Sequence, residues 1–293
     1  MVGALSTAVE IGLPALVGFL YLRRCQALAG SGRAPSSARQ LCFAAGIAVW
    51  VAATLTPLAK LAEELVSAHM VQHLLLTDLA AVLMVLGING AILAPVLRVL
   101  RGARWILLPL PVVALWIAGF YIWHVPILYE GALESPALHG AEHGTFLATG
   151  VGKWLLLLGP AAVAAVGMAA RLGLAVLSHL SVAALGNAFM WAGTPFYSAY
   201  ESTAADRGID PIADQSIAGA IMTVEGMLLT IGLGAWLLLS WAKEDTARQG
   251  LIDLAERRGV PLSEERARRA ARAGHAGQLR ERIEREAGNA ATR

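Results

Sequence analysis

Long apolar runs separated by short polar segments make up most of this chain. Each run is about 20 residues long, which is the length that an α-helix needs to cross the hydrocarbon core of a bilayer. The runs consist mostly of Leu, Ala, Val and Gly and lack the two-residue alternation of barrel strands, so they predict helices. We expect an all-α, polytopic membrane helix bundle of seven transmembrane helices, at about 4–22, 41–59, 69–88, 104–123, 139–160, 172–193 and 215–240.

Composition supports a membrane protein and sets the C-terminal segment apart. Hydrophobic residues make up 57% of the chain and charged residues only 15%, which is too little charge to cover a soluble domain of this length. More than half of the 23 Lys and Arg residues lie from Lys243 onwards. We therefore predict a transmembrane domain over 1–242 and a charged cytoplasmic helical tail over 243–293. The tail is interpreted as a solvated helix, and an arm that rests on anionic lipid or docks a partner is the alternative.

The distribution of Lys and Arg over the short loops predicts the orientation. Arg residues follow the first, third and fifth apolar runs, whereas Glu and Asp predominate in the alternate loops. Because positively charged loops stay in the cytoplasm, we expect the N-terminus outside and the C-terminus in the cytoplasm, which requires an odd number of spans. The first run is expected to be a retained span rather than a signal peptide, since Arg23 and Arg24 follow it instead of preceding it.

Five of the seven histidines fall at the predicted outer ends of spans. Two pairs, at the start of the third and fifth spans, have the spacing HxxxH, and a single histidine closes the fourth span. Histidines four residues apart lie on one helix face, so both imidazoles of a pair can bind the same metal ion. We predict a shared metal site with the ligands His69, His73, His124, His139 and His143.

The ligand atoms of this histidine cluster are compatible with several metals. Imidazole suits zinc, copper, iron and nickel, and a haem iron held axially by two of the histidines is a further alternative. Carboxylates in reach as additional ligands, or as hydrogen-bond partners of the histidines, are Glu142, Asp214 and Glu130. Met70 offers a thioether, although a methionine within a span more often serves packing.

Three charged residues, Asp78, Lys153 and Glu225, lie inside predicted spans. A charge at the centre of a membrane helix costs roughly 2.5–3.5 kcal/mol on insertion scales, so each is a candidate for a function. A rise of about 1.5 Å per residue along each helix places the three at a similar depth. We predict that Lys153 pairs with Glu225, Asp78 or both, either as a structural ion pair or as part of a proton or ion path.

Several segments have the spacing of one known family. They are His69–His73 with the three leucines that follow, Val85–Gly87, Trp123–Tyr129, Ser135–His143 and Asp214–Met222. Over roughly residues 40–240, these segments resemble the multi-spanning CtaG family, the cytochrome c oxidase assembly factors. The spacing of three histidine motifs and an Asp-Gln pair is fairly specific to that family.

The resemblance implies a seven-helix, multi-pass protein of the bacterial plasma (inner) membrane that takes part in the maturation of haem–copper oxidase by supplying copper. The residues carried over by position are His69, His73, His124, His139, His143, Asp214 and Gln215. The implied partners are cytochrome c oxidase subunits and the lipid bilayer. No nucleic acid is expected, and the sequence leaves a homo-oligomer open. The resemblance does not account for the three intramembrane charges.

Three functions are therefore considered. The resemblance favours a cytochrome c oxidase assembly factor that is not itself an enzyme and that holds copper at the extracytoplasmic histidine cluster. The alternative is a zinc-dependent membrane hydrolase, in which His69, His73 and His143 bind zinc and Asp214 serves as the base. A haem or quinone redox membrane protein is the third.

Overall fold

The apolar runs fold as helices in the computed structural model, which describes residues 2–159, 166–272 and 274–291. The described residues contain helices and no strand. The α-helices are α1 (Val2–Ala29), α2 (Ser37–Leu55), α3 (Pro57–Ala62), α4 (Val66–Leu74), α5 (Ala81–Gly87), α6 (Gly90–Val99), α7 (Pro109–Trp123), α8 (Pro126–Glu134), α9 (Pro136–Leu158), α10 (Met168–Trp191), α11 (Ala199–Asp206), α12 (Pro211–Arg258), α13 (Glu264–Arg272) and α14 (Ala276–Ala291). The chain divides into two units, Met1–Thr230 and Ile231–Arg293.

Within the described ranges, four stretches of helix are long and apolar enough to cross a membrane, namely α2, the continuous run Val66–Gly87, α10 and α12. Helices α7 and α8 pass the same test together but meet at 72°, so they add a fifth span only if the bent pair crosses as one. The all-helical membrane fold is therefore supported, while seven crossings stay a prediction. The polar residues that α9 carries, four of which are discussed below, lower its mean hydropathy although it has 23 residues.

Prolines move two helix boundaries away from the predicted ones. The run expected at 41–59 is broken after Leu55, because Pro57 begins α3 and the Thr56 hydroxyl caps it by accepting from the Leu58 N–H. The helix expected from 104 begins at Pro109, preceded by extended backbone at Leu108, as proline requires of the residue before it. Residues Leu100–Leu107 form a separate 3-10 helix.

The third predicted span is a continuous helical run with a π-helical segment, Leu75–Ala80, between α4 and α5. Such segments are rare, and they occur frequently at functional sites. Helix α9 packs against this segment and against α5 and α7. A side chain at Gly150 of α9 would collide with the backbone of Thr77, so glycine allows this close approach. The packing brings α9 alongside the run that begins with α4.

The C-terminal unit has its own apolar cluster between the last part of α12 and helices α13 and α14. The cluster consists of Leu251, Ala255, Ala267, Leu279 and Ile283. Arg–Glu pairs four residues apart lie on the surface of both short helices, for example Arg268 with Glu264 at 3.0 Å. Exposed pairs of this kind contribute about 0.3–0.5 kcal/mol each, so the apolar cluster contributes most of the stability of this unit.

Candidate metal centre

Three side chains converge at the start of α4 and of α9. The Nε2 atoms of His69 and His73 lie 2.8 Å apart. The Glu142 carboxylate places one oxygen 3.8 Å from Nε2 of His69 and the other 3.5 Å from Nε2 of His73. Helix α4 presents both imidazoles on one face because they are four residues apart, and α9 places Glu142 opposite them. Ligand atoms of these three residues all lie within 4.8 Å of one another.

Glu142 is the most unusual member of this cluster. Its side chain is 0% exposed, and neither carboxylate oxygen has a hydrogen-bond partner among the residues that the structure describes. Removing an ionised carboxylate from water costs on the order of several kcal/mol unless a cation or donors compensate. A cation between Glu142 and the two histidine nitrogens would supply the missing partner.

A tyrosine and a backbone carbonyl hold the ring of His69, because Nδ1 also lies 3.3 Å from the carbonyl of Ala62, which can only accept. Nδ1 of His69 lies 3.0 Å from the hydroxyl of Tyr200, which donates in turn to the carbonyl of Ala62 at 2.8 Å. Burial raises the pKa of the Tyr200 phenol above its ordinary value, so the hydroxyl keeps its proton and can donate. With Nδ1–H of His69 donating to Tyr200, the lone pair of Nε2 faces His73 and Glu142. A hydrogen bond of this kind commonly orients a metal-binding histidine.

The other three predicted histidines surround the cluster. Ring centroids lie 5.7 Å apart for His69 and His139, 5.7 Å for His73 and His143, and 6.4 Å for His73 and His124. In His124, His139 and His143, Nε2 has no hydrogen-bond partner within the described part of the chain. Nδ1 of His124 lies 2.6 Å from the carbonyl of Phe120, which can only accept, so the neutral ring has its free lone pair on Nε2.

The separations within the cluster fit a metal ion. Ligand atoms bound tetrahedrally at about 2.0–2.1 Å lie roughly 3.3 Å apart. The observed 2.8, 3.5 and 3.8 Å bracket that value. Two imidazoles and one carboxylate suit copper, zinc or iron, and three protein ligands leave further coordination positions to an exchangeable ligand.

The same part of the chain is matched by a family model. The model described as cytochrome c oxidase caa3 assembly factor (Caa3_CtaG) matches residues 19–244. The chain belongs to this family. The match contains all five predicted histidines, Glu142 and the Asp-Gln pair, and it confirms the family that the motifs predicted. No curated protein and no solved structure matches the chain.

In this Caa3_CtaG chain, Asp214 holds the start of α4, the helix that carries His69 and His73. Its carboxylate accepts from the backbone N–H of Val66 at 2.6 Å and of Ser67 at 3.3 Å, and from the Ser67 hydroxyl. Asp214 therefore caps the N-terminus of α4 from α12, three residues before His69. Its oxygens are engaged in this cap, and among the described residues it does not join the three-residue cluster.

Gln215 holds the segment between α10 and α11. Its carbonyl oxygen accepts from the N–H of Phe196 at 2.6 Å, and its amide donates to the carbonyls of Phe189 and Thr194 at 3.3 Å each. This segment leads into α11, which carries Tyr200. Gln215 therefore acts on the cluster through the backbone that positions this tyrosine.

Met70 and Glu130 are also engaged elsewhere. Met70 is 1% exposed and packs within an apolar core that contains Trp116 and Phe120. Glu130 accepts from the hydroxyl of Ser198 at 2.9 Å and from the N–H of Ala199 at 3.3 Å, at the start of α11. Met70 therefore serves packing, and Glu130 holds the start of α11.

The predicted charge layer contains one close ion pair. Nζ of Lys153 lies 2.7 Å from Oδ1 of Asp78, and the indole N–H of Trp154 donates to the same oxygen at 2.9 Å. The ammonium also lies 4.3 and 4.9 Å from the ring centroids of Trp116 and Trp154. Of the two partners predicted for Lys153, Asp78 is the one at ion-pair distance among the described residues, while Glu225 is partly buried on α12.

Sequence reasoning did not find Tyr200 or its neighbour Tyr197. Tyr197 stacks on Tyr129 with ring centroids 3.7 Å apart and donates to the carbonyl of His124 at 3.0 Å. Both tyrosines lie in a polar connection far from the histidines in sequence, where no periodicity links them to a site. The available signal was the presence of aromatic residues in a short segment on the predicted outer side.

Proposed function

We propose that this chain binds copper at His69, His73 and Glu142 and passes it to cytochrome c oxidase during assembly. Membership of the Caa3_CtaG family supplies the connection to the oxidase. The observation that supports a metal is the fully buried Glu142 carboxylate, which faces two ring nitrogens and has no hydrogen-bond donor among the described residues. Copper is the ion that a haem–copper oxidase needs in addition to its haem iron.

The geometry of His69 and His73 favours a single small ion over a haem iron held between these two residues. Two nitrogens that ligate one iron from opposite sides lie roughly 4 Å apart, since each metal–nitrogen bond is about 2.0 Å. His69 and His73 hold their Nε2 atoms only 2.8 Å apart, and both come from the same helix. The macrocycle has no room between them.

A hydrolase is supported less well by the same contacts. Metal-dependent hydrolysis needs a carboxylate or another base beside the metal-bound water. Asp214 is the base considered for this role, but its carboxylate oxygens accept hydrogen bonds from the backbone and the Ser67 hydroxyl at the start of α4. Glu142 lies in the ligand group itself. Storage and transfer of an ion require no such base.

The proposal includes the membrane arrangement predicted from the loops. Helices α1 and α9, with 28 and 23 residues, would be about 42 and 34 Å long and exceed the hydrocarbon thickness of about 30 Å. Counting both, and the bent α7–α8 pair, gives seven crossings of the bacterial plasma membrane. The N-terminus is then outside, the C-terminus is cytoplasmic, and the cluster lies at the extracytoplasmic end of α4 and α9.

A complementation experiment tests the oxidase role. In a strain without this protein, His69→Ala/His73→Ala should leave cytochrome c oxidase activity and its copper content at the level of the deletion. The exposed His275→Ala, outside the cluster, should restore both and serves as the matched control. Immunoblots of membranes check that the variants accumulate equally. Full oxidase activity with the double variant would overturn the proposal.

A further inference from the structure

We infer that the centre has two metal positions: the inner position at His69, His73 and Glu142, and an outer position at His139 and His143. The inference rests on the proposed function, because it assigns a second ion to the same histidine cluster. It goes beyond that proposal because it sets the number of metal ions that each chain binds at two.

His139 and His143 lie too far from the inner position to complete its coordination. Two ligand atoms on one ion can be separated by at most twice the bond length, about 4.2 Å. Within the described residues, the group of ligand atoms that lie inside 4.8 Å of one another contains His69, His73 and Glu142 and no further histidine. His139 and His143 therefore need another role.

These two histidines form a donor pair of their own. They are four residues apart on α9, and their ring centroids lie 4.2 Å apart. Two imidazoles on one ion have centroids within roughly 6 Å, because each centroid lies about 3 Å from the metal. Nε2 of each ring has no hydrogen-bond partner among the described residues, and His143 is only 7% exposed. A buried ring nitrogen without a partner is destabilising, and a bound cation would supply the missing partner.

The outer position is adjacent to the inner one and closer to the surface. Glu142 lies between His139 and His143 on α9, and each outer ring lies 5.7 Å from an inner ring. The inner residues are 3% exposed or less, whereas His139 is only partly buried. An ion can leave the inner ligands by accepting outer nitrogens one at a time, without a change of oxidation state. The outer pair thus provides the route by which a buried ion reaches a partner.

Copper stoichiometry of the purified full-length protein tests the inference. Cu(I) is added under reducing, anaerobic conditions in a Cys25→Ser/Cys42→Ser background, because free thiols would otherwise bind it. Unbound copper is removed by gel filtration before metal analysis. We expect two ions per chain, one ion in His139→Ala/His143→Ala, one in His69→Ala/His73→Ala, and two in the His275→Ala control.

The outcomes separate this inference from the proposed function. One ion in the parent protein, retained in His139→Ala/His143→Ala, would overturn the outer position and leave copper binding intact. Loss of all copper in either double variant would overturn it in favour of one shared ion. No copper in the parent protein would overturn both proposals. His139→Asn/His143→Asn, which keeps polar side chains of similar shape, should also bind one ion and guards against misfolding of the alanine variant.

Discussion

The ammonium of Lys153 lies 2.7 Å from the carboxylate of Asp78, in a buried layer beyond the histidines. Asp78 follows His73 on the same helical run, and Lys153 follows Glu142 on α9. The two helical runs that supply the inner metal position are therefore cross-linked a second time by this ion pair. We expect the pair to hold the two runs in register.

Removing one partner of this pair should destabilise the protein. Lys153→Met leaves Asp78 buried without its counter-charge, and the loss of one partner of a buried pair costs about 3–5 kcal/mol. Asp78→Asn/Lys153→Met should be more stable than Lys153→Met alone, since no uncompensated charge remains and Asn still accepts from Trp154. Thermal unfolding in detergent measures both. Equal or additive losses would show that the pair is not coupled.

The cap on α4 should matter for metal binding. Asp214→Ala removes the acceptor for three donors at the start of the helix, which costs about 0.5–2 kcal/mol of stability. Because His69 lies in the first turn that this cap holds, copper affinity should fall as well. Asp214→Asn keeps one acceptor oxygen and should lie between Asp214→Ala and the parent protein. Competition with a Cu(I) chelator gives the affinities, and unchanged affinity in Asp214→Ala would refute the link.

The Tyr200 hydroxyl should tune the inner position. Tyr200→Phe removes the closer partner of Nδ1 of His69 and leaves only the carbonyl of Ala62 at 3.3 Å, and loss of a hydrogen bond to a metal-binding histidine typically lowers metal affinity roughly 10- to 100-fold. Tyr121→Phe removes a hydroxyl that donates to the carbonyl of Ser181, away from the cluster, and should leave the affinity unchanged. The same chelator competition applies to both variants. Equal affinities would mean that Tyr200 does not act through His69.

The orientation can be tested with single cysteines in a Cys25→Ser/Cys42→Ser background. Ser202 is exposed in α11, between the sixth and seventh predicted spans, and Ser263 is exposed just before α13. A membrane-impermeant maleimide added to intact spheroplasts should label Ser202→Cys and not Ser263→Cys. After lysis both should react. Labelling of Ser263→Cys in intact spheroplasts would reverse or refute the predicted topology.

Helices and the histidine cluster could be predicted because their signals are local. Apolar length locates the spans, and the HxxxH spacing alone places His69 and His73 on one face. The helix boundaries were less accurate where proline intervenes, as at Pro57 and Pro109, and the π-helical segment Leu75–Ala80 has no sequence signature.

Contacts between distant segments could not be predicted in the same way. Glu142 was expected as an additional ligand or hydrogen-bond partner, and only the packing of α9 against the π-helical segment places it between two histidines. For Lys153 the depth estimate left Asp78 and Glu225 open, because depth does not give the rotation of a helix. Tyr200 was missed since its hydroxyl reaches His69 across 131 positions of sequence.

X-ray absorption at the copper K edge tests the central claim most directly. Full-length protein that carries one equivalent of copper should show nitrogen and oxygen neighbours near about 2.0 Å, imidazole scattering beyond them, and no sulfur shell at about 2.3 Å. In a His139→Ala/His143→Ala background, which leaves only the inner position, adding His69→Ala/His73→Ala should abolish this spectrum, and adding His275→Ala should keep it. A sulfur shell from Cys25, Cys42 or Met70, or a spectrum that stays unchanged when His69→Ala/His73→Ala is added to the His139→Ala/His143→Ala background, would contradict a copper site at His69, His73 and Glu142.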